Sequence, residues 1–278
     1  MELFITSLAS GSNGNCYYVG NQTEAILVDA GISCRETEKR MARLRLSMQK
    51  VKAIFISHEH SDHIRGLTLL AKKYNLPVYI SPGTLRFCPV AIEKHLVHHF
   101  TTIEPVQVGG LSVTAFSKIH DANEPHSFMV AYKQVRVGVF TDIGAPCQQL
   151  KKHFSQCHAA FLESNFDEAM LDGGHYPLFL KNRIRGGKGH LSNRQALELF
   201  LTHKAPYLRH LVLSHLSKEN NCPNLVNDLF TQNAGETNIV VASRYNETPV
   251  LTVTHHGAVF ENFTSMPEYQ LPTQMSMF

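Results

Sequence analysis

The 278-residue sequence lacks several features that would assign it to a class at once. Its six cysteines form no CxxC pair and no regular framework spacing, and no tract is of low complexity. No apolar run approaches the roughly 20 residues that a membrane-spanning helix requires. The first residues also lack the basic region and apolar stretch of a signal peptide. The sequence therefore predicts a cytoplasmic protein with buried, unpaired thiols and no membrane partner.

What the sequence contains is an ordinary globular composition, 43% hydrophobic and 18% charged. The length allows one large domain or two small ones, with a core that needs no disulfides. A formal net charge of +3 permits an anionic substrate without demanding one. The unusual count is 17 histidines, which directs attention to metal chemistry.

Hydrophobic periodicity divides the chain into strand-rich and helix-rich stretches in both halves. Short strands are predicted over 3–28 and again over 101–140, and from Pro146 onward helices alternate with single strands. This order favours two sheets packed together with helices outside. We predict one domain over residues 1–258, followed by a C-terminal tail, 259–278, that lacks periodicity and is expected to be mobile.

The strongest chemical signal is the run His-Glu-His-Ser-Asp-His at residues 58–63, which directly follows an apolar strand. In an extended loop, His58 and His60 point the same way and converge on one ion. Asp62 and His63 lie at the entrance of an amphipathic helix and can reach a second ion. Nitrogen ligands with a carboxylate suit zinc, manganese or iron. A histidine-rich loop that is merely solvated rarely has this spacing after a buried strand.

Residues 58–63 resemble the HxHxDH motif of the metallo-β-lactamase superfamily, and four further motifs of that superfamily follow the expected order. They are Leu27-Val28-Asp29-Ala30-Gly31, Lys118-Ile119-His120-Asp121-Ala122, Phe140-Thr141-Asp142-Ile143-Gly144 and Leu213-Ser214-His215-Leu216-Ser217. The resemblance implies an α+β fold, the αββα sandwich of this superfamily. It also implies two divalent metal ions, Zn²⁺ or alternatively Mn²⁺.

The resemblance assigns roles to particular residues. Carried over by position, the metal ligands are His58, His60 and His120 for one ion, Asp62, His63 and His215 for the other, and Asp142 as the bridge. Asp29 would brace the metal loop rather than bind metal. Two such metals would lower the pKa of a bridging water, so that hydroxide is the expected nucleophile. Asp62 would orient this nucleophile or accept its proton.

Further segments resemble the YycJ/WalJ-like branch of the superfamily, which is regarded as exonuclease-like hydrolases of nucleic acid. These segments are 8–15, 163–165, 189–193 and 215–221. The resemblance extends from Leu3 to about Val253. It implies a metal-dependent phosphodiesterase, a 5′–3′ exonuclease with DNA as the favoured substrate, and it leaves the oligomeric state open.

His190 is a second catalytic candidate besides Asp62. It precedes a predicted helix in the segment Gly189-His190-Leu191-Ser192, and a Gly-His-Ser-type histidine lies at a similar place in ribonuclease Z, a related nuclease. By similarity, His190 would bind phosphate or protonate the leaving oxygen, with Glu163 holding its orientation. The alternative is a histidine that only packs at a helix start.

A stretch of basic residues near His190 has two interpretations. Its members are Lys181, Arg183, Arg185, Lys188 and Arg194, with no acidic residue among them. They could form a surface that contacts the phosphate backbone, or they could be a solvated helix face and loop. The turn over residues 10–15 is interpreted as a tight hairpin connection rather than an anion site.

Three functions compete on this site. The first is a nuclease, the second a thioesterase or lactonase, and the third a non-catalytic regulatory protein that retains metal. The basic stretch and His190 favour the first, and the complete ligand set argues against the third. Only about 70 residues separate Asp142 from His215, too few for the β-CASP domain that large nucleases of the superfamily insert there. Their RNA-processing role is therefore not transferred to this chain.

Overall fold

Side chains alternate between two apolar surfaces along most strands, and this alternation builds a four-layer structure. In the computed structural model, which describes residues 2–255, two seven-stranded sheets pack face to face. Tyr17, Phe128 and Phe161 lie in the core between the sheets. Their neighbours along the strands, such as Tyr18 and Leu162, face outward and pack in two further cores, which the helices cover. The predicted α+β sandwich with outer helices is confirmed.

The described residues form fourteen strands and nine α-helices. The strands are β1 (Glu2–Ala9), β2 (Cys16–Gly20), β3 (Ala25–Val28), β4 (Val51–Phe55), β5 (Val78–Tyr79), β6 (Val97–His98), β7 (Val106–Val108), β8 (Leu111–Ser117), β9 (His126–Tyr132), β10 (Val135–Phe140), β11 (Ala159–Glu163), β12 (His210–Ser214), β13 (Asn238–Val241) and β14 (Leu251–Thr254). The helices are α1 (Cys34–Arg43), α2 (Ser61–Ile64), α3 (Leu67–Tyr74), α4 (Pro82–Phe87), α5 (Gln148–Phe154), α6 (Glu168–Gly173), α7 (Leu178–Arg185), α8 (Asn193–His203) and α9 (Pro223–Thr231). Two short 3₁₀ helices cover Met48–Lys50 and Lys94–Leu96.

Both sheets are mixed, and each contains a parallel half. The first sheet has the order β14-β1-β2-β3-β4-β5-β6, with β3 to β6 parallel. The second has the order β13-β12-β11-β10-β9-β8-β7, with β10 to β13 parallel. Parallel strands end at the same edge of their sheet, so the loops that follow them lie together. Ligand sites of such sheets lie beyond these carboxyl ends.

Several sequence-based boundaries differ from the structure. The periodicity of residues 64–74 predicts one helix, but the structure has two, α2 and α3, separated at Gly66. An added Cβ at Gly66 would lie 1.9 Å from the carbonyl oxygen of Ile32. The helices α4 and α6 were not predicted. All six cysteines are free, but Cys88, Cys147 and Cys222 are only half-buried, contrary to the expectation of buried thiols. The predicted mobile tail, 259–278, lies outside the described residues.

No helix among the described residues is both long enough and apolar enough to cross a bilayer.

Gly31 lets three backbone segments meet beside the metal loop. Its N–H donates to the carbonyl of Asn15, whose own N–H donates to the carbonyl of Asp62. A Cβ at Gly31 would lie 1.6 Å from that Asp62 oxygen and 2.5 Å from the nitrogen of Asn15. Only glycine fits there, because the crowding atoms are backbone and cannot rotate away.

We expect Gly31→Ala to destabilise the fold and to move the metal loop. The clash must displace backbone, so the free energy of unfolding should fall by about 1–3 kcal/mol or more. Urea denaturation measures this, and metal content after dialysis should fall with it. Gly173→Ala is the matched control, since a Cβ there meets nothing within 4 Å. Equal free energies of unfolding for the two variants would contradict the destabilisation expected from the close approach at Gly31.

Candidate metal centre

The candidate ligands lie in loops that leave the carboxyl ends of strands. Residues 58–63 follow β4, Asp142 follows β10 and His215 follows β12. Asp29, Asp142 and His215 all have left-handed backbone conformations, with φ of 63°, 55° and 57°. Residues other than glycine rarely adopt this region, although Asp and His do so more readily than most. The turns at Asp142 and His215 place these side chains in one cleft, whereas Asp29 is buried against Ser57 and His63.

Three imidazoles form the first group of donors. Nε2 of His58 lies 3.1 Å from Nδ1 of His60, and Nε2 of His120 lies 3.4 Å from that same Nδ1. All three donor atoms lie within 4.8 Å of one another. The structure thus brings together the three histidines that were predicted to hold one metal.

The second group contains Asp62, His63 and His215. Oδ2 of Asp62 is 3.6 Å from Nε2 of His63 and 3.5 Å from Nε2 of His215. These three donors also lie within 4.8 Å of one another. They are the residues that were predicted to hold the other metal.

Asp142 lies between the two groups. Its Oδ2 is 3.1 Å from Nε2 of His63, and its Oδ1 is 3.5 Å from Nε2 of His215 and 3.9 Å from Nε2 of His120. The Oδ2 atom is buried and accepts no hydrogen bond from the described residues. An aspartate in this position can contact ions in both groups.

Hydrogen bonds at Nδ1 orient the other ring nitrogen of these histidines toward the cleft. Nδ1 of His63 is 2.7 Å from Oδ2 of Asp29, and Nδ1 of His58 is 2.9 Å from the hydroxyl of Ser57. That hydroxyl donates to Asp29, which also accepts the N–H of Ser57. Nδ1 of His120 lies 3.1 Å from the carbonyl of Gly189. Asp29 therefore contacts the loop at Ser57 and His63, in a position that fits the bracing role expected by similarity.

Glu163 performs the same task for two further histidines. Its Oε1 lies 2.7 Å from Nδ1 of His190 and 3.2 Å from Nδ1 of His215. Its Oε2 accepts the N–H of Ile143, directly after Asp142. Asp142, Glu163, His190 and His215 also have donor atoms within 4.8 Å of one another. Hydrogen bonds to Glu163 account for this closeness, so we do not count the set as a third metal group.

Three polar residues of the centre carry no ligand signature in the sequence. Asn15, from the hairpin loop, donates from Nδ2 to Oδ2 of Asp62 at 3.1 Å. Asn165 donates to the carbonyl of His215 at 2.7 Å. Lys118 is buried and donates to the carbonyl of Thr141 at 2.7 Å, directly before Asp142.

Burial and nearby charges move the pKa values of the histidines in different directions. Burial lowers the pKa of His120 to about 4 and, with the neighbouring His63, holds the pKa of His58 well below its usual value. Burial also opposes protonation of His215, but nearby carboxylates, chiefly Asp142, raise its pKa to about 10. Carboxylates likewise outweigh burial at His63 and raise its pKa well above the usual value.

The donor set fits divalent metal ions. Nδ1 of His63 is committed to Asp29, so a neutral His63 would direct a nitrogen lone pair at the buried, unbonded Oδ2 of Asp142. A cation between these atoms removes that repulsion. Protons on His63 and His215 balance the buried carboxylates in the metal-free protein, and bound metal would replace them. Imidazole and carboxylate ligands are those that zinc and neighbouring transition metals prefer.

The two groups open into a cleft of about 260 Å³. One wall comes from α7 and the segment before it, with Tyr176, Leu180 and Ile184 facing the metal ligands. His190 also lines the cleft and is partly exposed to it. The cleft is therefore polar on the ligand side and largely apolar on the α7 side.

Arg183 is the member of the predicted basic stretch that lines this cleft. Its Nε donates to Oδ2 of Asp121 at 2.7 Å, and its Nη2 forms an ion pair with the same oxygen at 2.7 Å. Asp121 directly follows His120, so the ion pair connects α7 to the loop that carries this candidate ligand. Arg183 is 62 positions away from Asp121, which is why this pairing was not visible in the sequence.

The other four basic residues lie outside the cleft. Arg185 and Arg194 line a separate pocket and pair with acidic side chains there. Lys181 donates to a backbone carbonyl, and Lys188 is exposed. Only Arg183 of the five therefore lines the metal cleft, and a phosphate-contact role for the other four residues stays a prediction.

Comparison with known proteins agrees with the fold. A sequence model of the beta-lactamase superfamily domain matches residues 24–216. The crystal structure of the metallo-beta-lactamase fold protein YhfI from Bacillus subtilis superposes with a TM-score of 0.69 at 15% identity, over 91% of this chain and 100% of that one. The chain belongs to the metallo-β-lactamase superfamily.

Two curated relatives define the branch. Exodeoxyribonuclease YycJ of Bacillus anthracis is 36% identical over 233 residues, which are 81% of this chain and 86% of that protein. Exodeoxyribonuclease WalJ of Streptococcus pneumoniae is 30% identical over 223 residues, 78% of this chain and 83% of that protein. Within the superfamily, the chain belongs to the YycJ/WalJ-like branch. The predicted family and enzyme class, a metallo-hydrolase, are confirmed.

We expect metal binding to release protons at neutral pH. His63 and His215 have raised pKa values in the metal-free protein, so both carry a proton that a metal ion must displace. Titration calorimetry with Zn²⁺ in buffers of different ionisation enthalpy should show at least about two protons released per protein, and affinity should rise with pH. A binding enthalpy that is independent of the buffer would contradict this charge balance.

Proposed function

We propose that this chain is a metal-dependent nucleic-acid hydrolase, a 5′–3′ exodeoxyribonuclease with two metal ions in the candidate centre. The observation that carries the proposal is the position of Asp142 between two complete groups of three donors. The names of the relatives YycJ and WalJ support DNA as the substrate. Zn²⁺ is the proposed metal because imidazoles dominate the donor set, with Mn²⁺ as the alternative.

The ions would be held by His58, His60 and His120 on one side and by Asp62, His63 and His215 on the other, with Asp142 shared. Bound there, they would supply an activated water and an electrophile for the scissile phosphoryl group. Asp62 is the best placed residue to orient that water, because its Oδ2 already accepts from Asn15 and is fixed in the cleft.

His190 is proposed to protonate the leaving oxygen. Its Nδ1 is held by Glu163, so its Nε2 can carry the transferred proton. The buried carboxylate of Glu163 keeps its charge, since His190 and His215 lower its pKa to about 2 against the effect of burial. Glu163 therefore fixes the direction of the His190 ring.

The proposal also includes a cytoplasmic site of action. The six free thiols, three of them only half-buried, suit a reducing compartment. The competing functions, a thioesterase or lactonase and a non-catalytic metal-retaining protein, use the same donors and are outcomes of the tests below.

We expect His60→Ala to abolish nuclease activity, because it removes one of three donors from the first group. Zn²⁺- or Mn²⁺-loaded protein is incubated with 5′-labelled and 3′-labelled single- and double-stranded DNA and RNA. Exonucleolysis from the 5′ end of DNA is the expected result. His95→Ala, at an exposed histidine outside the centre, is the matched control. Intact nucleic acid beside hydrolysed thioester or lactone would overturn the nuclease proposal, and equal activity of His60→Ala and wild type would indicate a contaminant.

We expect His190→Gln to slow DNA hydrolysis about 10²–10⁴-fold, the usual contribution of a general acid. Thymidine 5′-p-nitrophenyl phosphate tests the role, because p-nitrophenolate leaves without needing a proton. The variant should therefore lose little activity on this substrate, while its metal content stays that of the wild type. Equal losses on both substrates would contradict proton donation and indicate that His190 binds substrate or only packs.

A further inference from the structure

A second cavity, of about 250 Å³, adjoins the metal cleft. We call it the lateral pocket and define it by Leu216, Lys218, Pro223, Val241, Arg244 and Tyr245. Its floor is largely apolar, and its two cationic side chains, from Lys218 and Arg244, come from different loops. None of its residues was a candidate in the sequence.

The lateral pocket is connected to the metal cleft through shared residues. Ser217 lines both cavities. Ser10 lines the lateral pocket, and its hydroxyl accepts the backbone N–H of His215 at 2.7 Å. A chain molecule whose reacting group lies at the metal ligands can therefore extend directly into the lateral pocket.

Arg244 is held in place by backbone groups. Its Nη2 donates to the carbonyl of Leu216 at 2.8 Å, and its own carbonyl accepts from Asn13 at 3.3 Å. Gly11 leaves the space that the guanidinium occupies, since a Cβ there would lie 3.3 Å from Nη2. The arginine is thus positioned before any ligand binds.

The charge of Arg244 is not neutralised by a carboxylate within residues 2–255, where no ion pair involves it. This distinguishes it from Arg183, which is paired with Asp121. Lys218 has a partner in Glu219 at 3.3 Å, but both side chains are more than half exposed, so water and salt screen that pair. The pocket therefore presents an uncompensated cation beside an apolar floor.

A cation beside an apolar floor matches a nucleotide, which has an anionic phosphate and a flat base. Arginine binds phosphate with several N–H donors, and exposed aromatic rings such as that of Tyr245, 63% exposed, stack on bases of any sequence. We propose that the lateral pocket binds the nucleotide adjacent to the scissile phosphate, with its phosphate on Arg244 and its base against Tyr245. This inference rests on the proposed nuclease function.

The test separates binding of the neighbouring nucleotide from the chemistry at the metals. Single-stranded DNA fills the lateral pocket, whereas the small diester bis(p-nitrophenyl) phosphate carries no nucleotide to place there. Arg244→Met and Tyr245→Ala should each raise KM for the oligonucleotide about tenfold relative to KM for the small diester. In Arg244→Met, the slope of log KM against log salt should also fall by about one.

Arg86→Met is the matched control, because it removes an exposed arginine that lines neither cavity. A melting temperature and a metal content equal to those of the wild type identify variants that keep the fold. If Arg244→Met does not keep the fold, Tyr245→Ala still tests the inference. Oligonucleotide KM values unchanged in the folded variants, with DNA still cleaved, would overturn this inference alone. Wild-type protein that cleaves the small diester but no nucleic acid would overturn the proposed function and this inference together.

Discussion

The structure depends on the compensation of negative charge buried at the strand ends. Asp29, Asp142 and Glu163 are buried, and each faces at least two partners in the candidate centre. A buried carboxylate is costly unless cations or hydrogen-bond donors surround it. Protonated histidines donate hydrogen bonds to these carboxylates, and neutral histidines offer a ring nitrogen to a metal ion. The fold therefore concentrates negative charge that divalent ions can neutralise. This charge is present with or without bound metal.

Precision at the centre comes from the backbone as much as from the side chains. The left-handed turns at Asp29, Asp142 and His215 cost conformational energy that only a packed surrounding can offset. The two packed sheets supply that surrounding. Their parallel halves end at the same place, so the turns that follow the strands lie together. The close contact at Gly31 then fixes the metal loop against the first hairpin. Rigid strands thus position donors whose chemistry requires separations of a few ångströms.

The fold and the family could be predicted because both depend on local patterns. Alternating apolar residues identified most strands, and residues 58–63 have ligand spacing within six positions. The candidate ligands at His120, Asp142 and His215 required the superfamily resemblance, since a single histidine or aspartate carries no spacing signal. Asn15, Lys118 and Arg244 were missed, because amides, lysines and arginines are common on surfaces and only the folded chain brings them to the site. The pairing of Arg183 with Asp121 could not be predicted from the sequence for the same reason.

The pairing of β1 with β14 has a consequence for how the centre is assembled on the ribosome. Glu2 lies opposite Thr254, the hydroxyl of Thr6 donates to the carbonyl of Thr248, and the N–H of Ser7 donates to the Thr248 hydroxyl. One edge of β1 pairs with β2, but the other is completed only when this late segment has been synthesised. Ser10, which ends this strand region, is the acceptor that holds the backbone of His215. Every candidate donor up to His215 is therefore synthesised before the segment that pairs with β1, and a nascent chain that already holds all the donors still lacks the strand that completes this edge of the first sheet.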